Sequence, residues 1–432
     1  MFKTIKNAWS IPDLRKKIIF TLLIIVIFRI GSVIPVPFLD MTALSSLFQF
    51  NGDASNSIFA YLNTMSGGAF GNATIFAMGI TPYINSSIIM QLLCVAIPSL
   101  ERMSKEGEDG RKKIATITRY LTVVLGLIQG TAYFFYLNGM HIVTDDVATW
   151  FAAIVIILIF TAGTAFMMWL GEQINTKGIG NGISILLFAG IVARLPVTIY
   201  SLITYWSYAQ IGFTQFYFLV PAFVLLFFIV IWVINFMQDA ERRIPIQYAK
   251  RVVGRKMYGG QSSHMPIKVA LGGVMPVIFA TSILSIPSTI MAFLKPTDGF
   301  YQFLIWLSPS KWPYIVIEFL LVLAFAYFYT QIQYNPVEMA NNLKQNNGTI
   351  PGIRPGQPTA EFIRKILSRI TLIGALFLSF IAIVPSIFTM AAGMNDLSMG
   401  GTSVIIMVGV AIETVKQMES QMMMRHYRGF LD

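Results

Sequence analysis

Ten apolar stretches, each close to the length that crosses a bilayer, constrain this chain more than any other feature. They run approximately over residues 18–36, 74–97, 115–137, 150–170, 181–203, 214–237, 269–293, 313–334, 370–389 and 401–418. A helix rises 1.5 Å per residue, so about 20 apolar residues span the hydrocarbon layer. The second, fifth and seventh are broken or bounded by Gly, Pro and polar residues. The chain is 55% hydrophobic and only 12% charged, more apolar surface than a soluble core can use. The expected class is an all-α polytopic membrane protein with ten spans. Two five-span halves, 1–203 and 204–432, meet near 204–213, without a convincing sequence repeat. The apolar run after the basic N-terminal tail is too long, and lacks the small-residue cleavage site, for a removable signal peptide.

Lys and Arg set the orientation. The N-terminal tail holds five, the 98–114 loop five with Arg119 just beyond, and 171–180 one. The 238–268 loop holds seven, the 335–369 segment five and the C-terminal end three, so 27 of 31 lie on one side. Positive-inside places both termini and the large loops in the cytosol. The opposite segment 37–73 has no Lys or Arg, and its short apolar piece Ile58–Met65 ends at Gly67-Gly68. That piece is either an extracellular loop or a re-entrant helix hinged at the glycines.

No nucleotide-binding, zinc-protease or serine-hydrolase motif is present, so the chain cannot itself couple ATP hydrolysis to work. Cys94 is alone within an apolar run, and three scattered His make no metal cluster. No metal and no cofactor are expected. The intramembrane ionisable residues are Arg29, Arg194, Glu318 and Glu413. Arg29 and Arg194 can snorkel outward, and Glu318 lies within reach of the outer interface. None forms the midplane carboxylate pair of an ion-coupled carrier.

Small and amide side chains punctuate several spans: Thr81, Asn85, Ser86, Ser87 and Gln91 on the second, Gln129 on the third, Thr281, Ser282 and Ser285 on the seventh. They are either polar glue between helices or a seam that opens. Ile80 and Ile84 share a helix face, as do Ile183 and Leu187. Facing pairs would make an apolar collar that excludes ions by dewetting, although such pairs also serve packing or lipid contact. The basic loops suit either anionic lipid or a large docked partner, and their length favours the partner.

The residues that decide between these readings are FRIGSVIPVP (28–37), MSGGAFGNATIFAMGITPYIN (65–85), KEGEDGRKKI (105–114), MWLGEQINTKGIGNGISI (168–185), QYAKRVVGRKMYGGQSSHMPIKV (247–269), PGIRPGQPT (351–359) and GGTSVII (400–406). With them, nearly the whole chain resembles the SecY family, the channel subunit of the bacterial protein translocase. The resemblance implies two pseudo-symmetric inverted five-helix halves around a central pore, in the bacterial plasma membrane. By motif, its pore ring falls on Ile80, Ile84, Ile183, Leu187, Ile278 and Ile406, with Leu187 a volume-conserving departure from isoleucine. Its plug maps to about 55–68, including Ile58, Phe59, Tyr61, Leu62, Met65, Gly67 and Gly68. Its lateral gate lies between the second/third and seventh/eighth spans, at Asn85, Ser86, Gln91, Gln129, Thr281, Ser282 and Ile286. Its docking residues for the SecA ATPase or the ribosome fall on Arg242, Arg243, Lys250, Arg251, Arg255, Lys256 and Arg354. The implied partners also include SecE, SecG, accessory translocon proteins, membrane lipids and signal-sequence-bearing polypeptides. The function implied is passage of unfolded chains across the membrane and sideways release of membrane segments. A small-solute carrier and a scaffold without an aqueous path are the competing classes.

Overall fold

Apolar runs become helices wherever the backbone must satisfy its own hydrogen bonds. The computed structural model describes residues 2–44, 63, 66–144, 147–211, 213–248, 251–253, 256–258, 262–291, 299–307, 311–394 and 400–428. Helices α1 (Phe2–Ser10) and α2 (Pro12–Gly31) come first, and α3 (Thr81–Ala96) and α4 (Pro98–Lys105) follow turns at 66–80. Next are α5 (Glu108–Gly139), α6 (Thr149–Lys177), α7 (Gly182–Gln210) and α8 (Phe216–Asp239). Strands β1 (Glu241–Tyr248), β2 (Arg251–Val253), β3 (Lys256–Tyr258) and β4 (Ser262–Lys268) precede α9 (Met275–Met291), α10 (Gly299–Ile305), α11 (Trp312–Gln333) and α12 (Pro336–Gln345). Strand β5 (Gly348–Thr349), α13 (Gln357–Ala391) and α14 (Gly401–Arg428) complete the order.

Among the described residues, seven helices are long and apolar enough to cross a membrane: α5, α6, α7, α8, α11 with α12, α13 and α14. The pair α3–α4, bent by 103°, makes an eighth if it counts as one span. Of the remaining expected spans, α2 is 20 residues long with Asp13, Arg15, Lys16, Lys17 and Arg29 near its ends, and α9 has 17 with Pro287 inside. The second expected span begins as helix only at Thr81, not at 74. Gly79 holds a left-handed φ of +58° and Pro82 lies in the first turn of α3, so the helix can start there and not earlier.

Two helix groups pack against each other. Helix α5 lies between α3 and α6, and α6 also packs on α7. In the second group α11 lies between α9 and α13, while α14 touches both α8 and α13. The groups meet where α3 and α5 touch α9 and where α7 touches α8 and α14. One buried apolar cluster runs across that junction.

The expected loop at 238–268 carries strands. β1 and β4 pair antiparallel from Glu241↔Lys268 to Gln247↔Ser262, and β2–β3 form a small hairpin between them. Residues alternate along β1, with Ile244 and Ile246 buried and their neighbours Arg243 and Pro245 exposed. Prolines 245 and 266 sit where the sheet is only two strands wide, a position where a missing N–H is tolerated. β5 adds to the other side of β1 through Gln247↔Thr349 and Tyr248↔Gly348. Ile244, Ile267 and Leu271 then share an apolar core with Ile350, Ile363, Leu367 and Ile370.

Candidate functional site: a central collar, a helix seam and a basic sheet

The six residues expected to form a collar all belong to, or pack against, one large buried apolar cluster. Ile80 is the N-cap residue of α3 and Ile84 lies one turn in, its N–H donating to the Ile80 carbonyl at 3.1 Å. Ile183 and Leu187 occupy the first two turns of α7, Ile278 the first turn of α9 and Ile406 the second turn of α14. Ile80, Ile84, Leu187, Ile278 and Ile406 are each no more than 5% exposed within one apolar cluster, and Ile183 packs against it half-buried.

Local sequence explains why α7 begins at this level. Gly180 holds φ +86°, and the Asn181 side chain accepts from the N–H groups of Ile183 (3.1 Å) and Ser184 (3.5 Å). The Asn175 side chain accepts from the Gly182 N–H at 2.7 Å. A Cβ on Gly182 would collide with the Gly171 carbonyl, so glycine lets α6 and α7 close beside the collar. Asn181→Ala removes the cap, with an expected loss of ~1 kcal/mol of stability, read as a lower thermal midpoint in detergent.

A cavity of about 420 Å³ lies on the side of the strands. Asn181, Ser184, Gln238, Lys268, Glu413 and Lys416 contribute polar groups to its wall. Lys416 Nζ reaches Asp239 Oδ1 at 2.6 Å and the Gln238 carbonyl at 3.3 Å, tying α14 to the end of α8. This cavity has no counterpart in the sequence-based expectations, because its lining comes from five separated segments.

Helices α3 and α5 touch α9, and these three helices carry the residues of the expected seam. Asn85, Ser86, Thr281 and Ser282 are buried, Gln91 and Gln129 are half-buried, and Ile286 is 44% exposed. The Ser86 hydroxyl donates to the Pro82 carbonyl at 2.8 Å and that of Thr281 to the Ile278 carbonyl at 3.0 Å. Both bonds stay within their own helix, so neither hydroxyl links the helices through them.

Of the short outer segment, Ile58, Phe59, Tyr61, Leu62 and Met65 lie outside the described residues, and Gly67 and Gly68 lie within them. The two glycines form a turn with φ +68° and +93°. The two arginines read as able to snorkel outward lie against this turn of the outer segment. Arg29 Nη1 donates to the Gly67 carbonyl at 3.4 Å, and a Cβ on Gly68 would meet Arg194 Nη1 at 3.5 Å. Arg194 Nε is buried and has no hydrogen-bond partner among the described residues. Glu318 also departs from expectation. It is 3% exposed on the packed face of α11, and its Oε2 has no hydrogen-bond partner among the described residues. A buried carboxyl oxygen left unpaired costs free energy. Glu318→Met should therefore raise the thermal midpoint in detergent, and a fall of 2 °C or so, about 1 kcal/mol or less, would mean the carboxyl holds a structural contact.

Of the basic residues, Arg242, Arg243 and Arg354 are exposed. Arg251 lies on β2 and Lys256 on β3, while Lys250 and Arg255 lie outside the described residues. Arg354 stands in the tight turn between Gly352 (φ +81°) and Gly356 (φ +105°), and its carbonyl accepts the Thr359 hydroxyl at 2.8 Å. The β1–β5 pairing joins this turn to the hairpin.

A family model described as SecY matches residues 74–415. The chain belongs to the SecY family. Among relatives, it is 45% identical over 457 residues to the protein translocase subunit SecY of Bacillus subtilis and 42% identical over 446 residues to that of Streptomyces coelicolor, covering 100% of each chain. SecY membership places the chain among multi-pass translocase subunits rather than enzymes or small-solute carriers. The fold is that of solved channel structures. One described as a protein conducting channel superposes with TM-score 0.64 at 17% identity, covering 94% of this chain and 92% of that one. Another, Sec61 in a canine ribosome-channel complex, gives TM-score 0.63 at 17% identity with the same coverage.

Proposed function

We propose that this SecY-family chain forms a gated channel that passes unfolded polypeptides across the membrane and releases apolar segments sideways into lipid. The observation that supports the reading is the buried apolar cluster across the junction of the two helix groups, which holds or packs against all six residues of the proposed collar. Branched aliphatic side chains exclude water and ions yet impose no sequence preference on a passing chain. The two halves are 1–203 and 204–432, with ten spans once α2, α3 and α9 are counted with the seven longer helices. The seam of α3 and α5 against α9 is the lateral exit, and Asn85, Ser86, Gln91, Gln129, Thr281, Ser282 and Ile286 border it.

The short outer segment is the plug, with Arg29 and Arg194 holding its Gly67-Gly68 base. The sheet with Arg242, Arg243, Lys250, Arg251, Arg255, Lys256 and Arg354 is the docking face for the SecA motor or the ribosome. Charge asymmetry supports a cytosolic position for that face and for both termini, in a bacterial plasma membrane. SecE and SecG are the proposed subunit partners.

A cysteine at Ile278, in a Cys94→Ser background, should crosslink to a secretory chain stalled in mid-passage. Absence of the adduct, with an adduct at a lipid-facing control position, would favour a scaffold with no aqueous path.

A further inference from the structure

A cleft of about 310 Å³ with both apolar and polar lining lies between the ends of α11 and α13 nearest the strands. That volume falls at the low end of small-ligand sites. Tyr327, Thr330, Gln331 and Tyr334 form one wall, and Arg364, Ser368 and Thr371 form the other. Its level is where charge gives way to hydrocarbon. Arg364, Lys365 and Arg369 crowd two turns of α13, and no Asp, Glu, Lys or Arg follows from 370 to 391. Paired tyrosines on the opposite wall suit the same boundary. Among the described residues, none of these three cations makes an ion pair.

Thr371 marks the cleft as unfinished. Threonines in the other long helices bond back to the carbonyl four residues earlier: Thr122 to Thr118 (2.7 Å), Thr164 to Phe160 (3.0 Å), Thr330 to Ala326 (2.7 Å) and Thr414 to Val410 (2.7 Å). Thr371 is 4% exposed, yet its hydroxyl has no partner among the described residues. A buried hydroxyl left unpaired costs free energy that a bound acceptor would recover. Beyond the cleft, the ridge of every fourth residue on α13 runs Arg364, Ser368, Leu372, Leu376 and Phe380. Leu372, Leu376 and Phe380 are 45%, 41% and 62% exposed.

We propose that this cleft holds the phosphate headgroup of one anionic phospholipid. Arg364 and the Thr371 and Ser368 hydroxyls meet the phosphodiester, and an acyl chain lies along Leu372, Leu376 and Phe380. A cation at the headgroup level continuing into an exposed apolar ridge matches a lipid end to end; a soluble phosphate compound would leave the ridge unused. The inference rests on membrane embedding and not on the channel reading.

The test uses the full chain in nanodiscs with equal phosphatidylglycerol and phosphatidylcholine, released into detergent for native mass spectrometry. Wild type should retain one phosphatidylglycerol in preference to phosphatidylcholine. Arg364→Ala should lower that retention about fivefold, the effect of one basic residue near a membrane surface, and Thr371→Val should lower it independently. Arg364 is exposed, so folding should persist, and Arg364→Lys should restore part of the binding. Equal retention by wild type and Arg364→Ala, or equal loads of the two lipids, would overturn the proposal. Displacement of the lipid by millimolar inorganic phosphate would assign the cleft to a free anion and also overturn it.

Discussion

Serine at both Ile80 and Ile278 should raise the resting ion conductance of reconstituted protein at least tenfold. Both side chains are under 5% exposed in the cluster that closes the junction between the helix groups. An apolar constriction resists ions because water leaves it, and a hydroxyl on two sides gives water a foothold. A barrier lower by ~1.4 kcal/mol already accounts for a tenfold rate. Each replacement also removes buried hydrocarbon worth ~2 kcal/mol or more, so the thermal midpoint must be followed in parallel. Conductance in planar bilayers is the direct readout. An unchanged leak in a folded double variant would place the seal outside the collar.

Arg354→Glu should cut motor-driven transport about tenfold or more while leaving the thermal midpoint unchanged. Arg354 is exposed, and its only described hydrogen bond is through its carbonyl to Thr359, which any side chain keeps. Folding is therefore insensitive to the change. Binding is not, because placing like charges across a docking surface costs several kcal/mol. Arg354→Ala, which removes attraction without adding repulsion, should fall between the two. Normal transport and normal SecA binding by Arg354→Glu would remove this turn from the docking face.

How far the sequence revealed this molecule depended on whether a feature was local. The apolar runs foretold the long helices because a membrane span must satisfy its own backbone. The α7 start was readable in GIGNG, since an Asn cap and a left-handed glycine act within a few residues. The start of α3 at Thr81 was missed because hydropathy carries on smoothly through residues whose glycine and proline break the helix. The paired strands at 241–268 were hidden by their high charge, and β5 by its length of two residues. Arg29 and Arg194 read as snorkelling groups because nothing nearby in sequence reports that Gly67 and Gly68 fold back between α2 and α7. The proposed collar residues were legible by family motif; their packing in one apolar cluster depends on contacts between helices hundreds of residues apart.

The pairing of β1 with β5 has a mechanical consequence. Two connections that look like independent slack tethers are bolted into a single stiff rocker, with the Thr349 hydroxyl on the Gln247 carbonyl at 3.2 Å and a common apolar hub beneath. From β4 the chain enters α9 through residues 269–274, and the Val269 carbonyl sits so tightly on α13 that a Cβ at Gly374 would strike it. A load applied at Arg354 is thus carried as a tilt and not absorbed as slack. The first membrane elements to feel that torque are α13 and α9, the latter carrying Ile278 and Thr281.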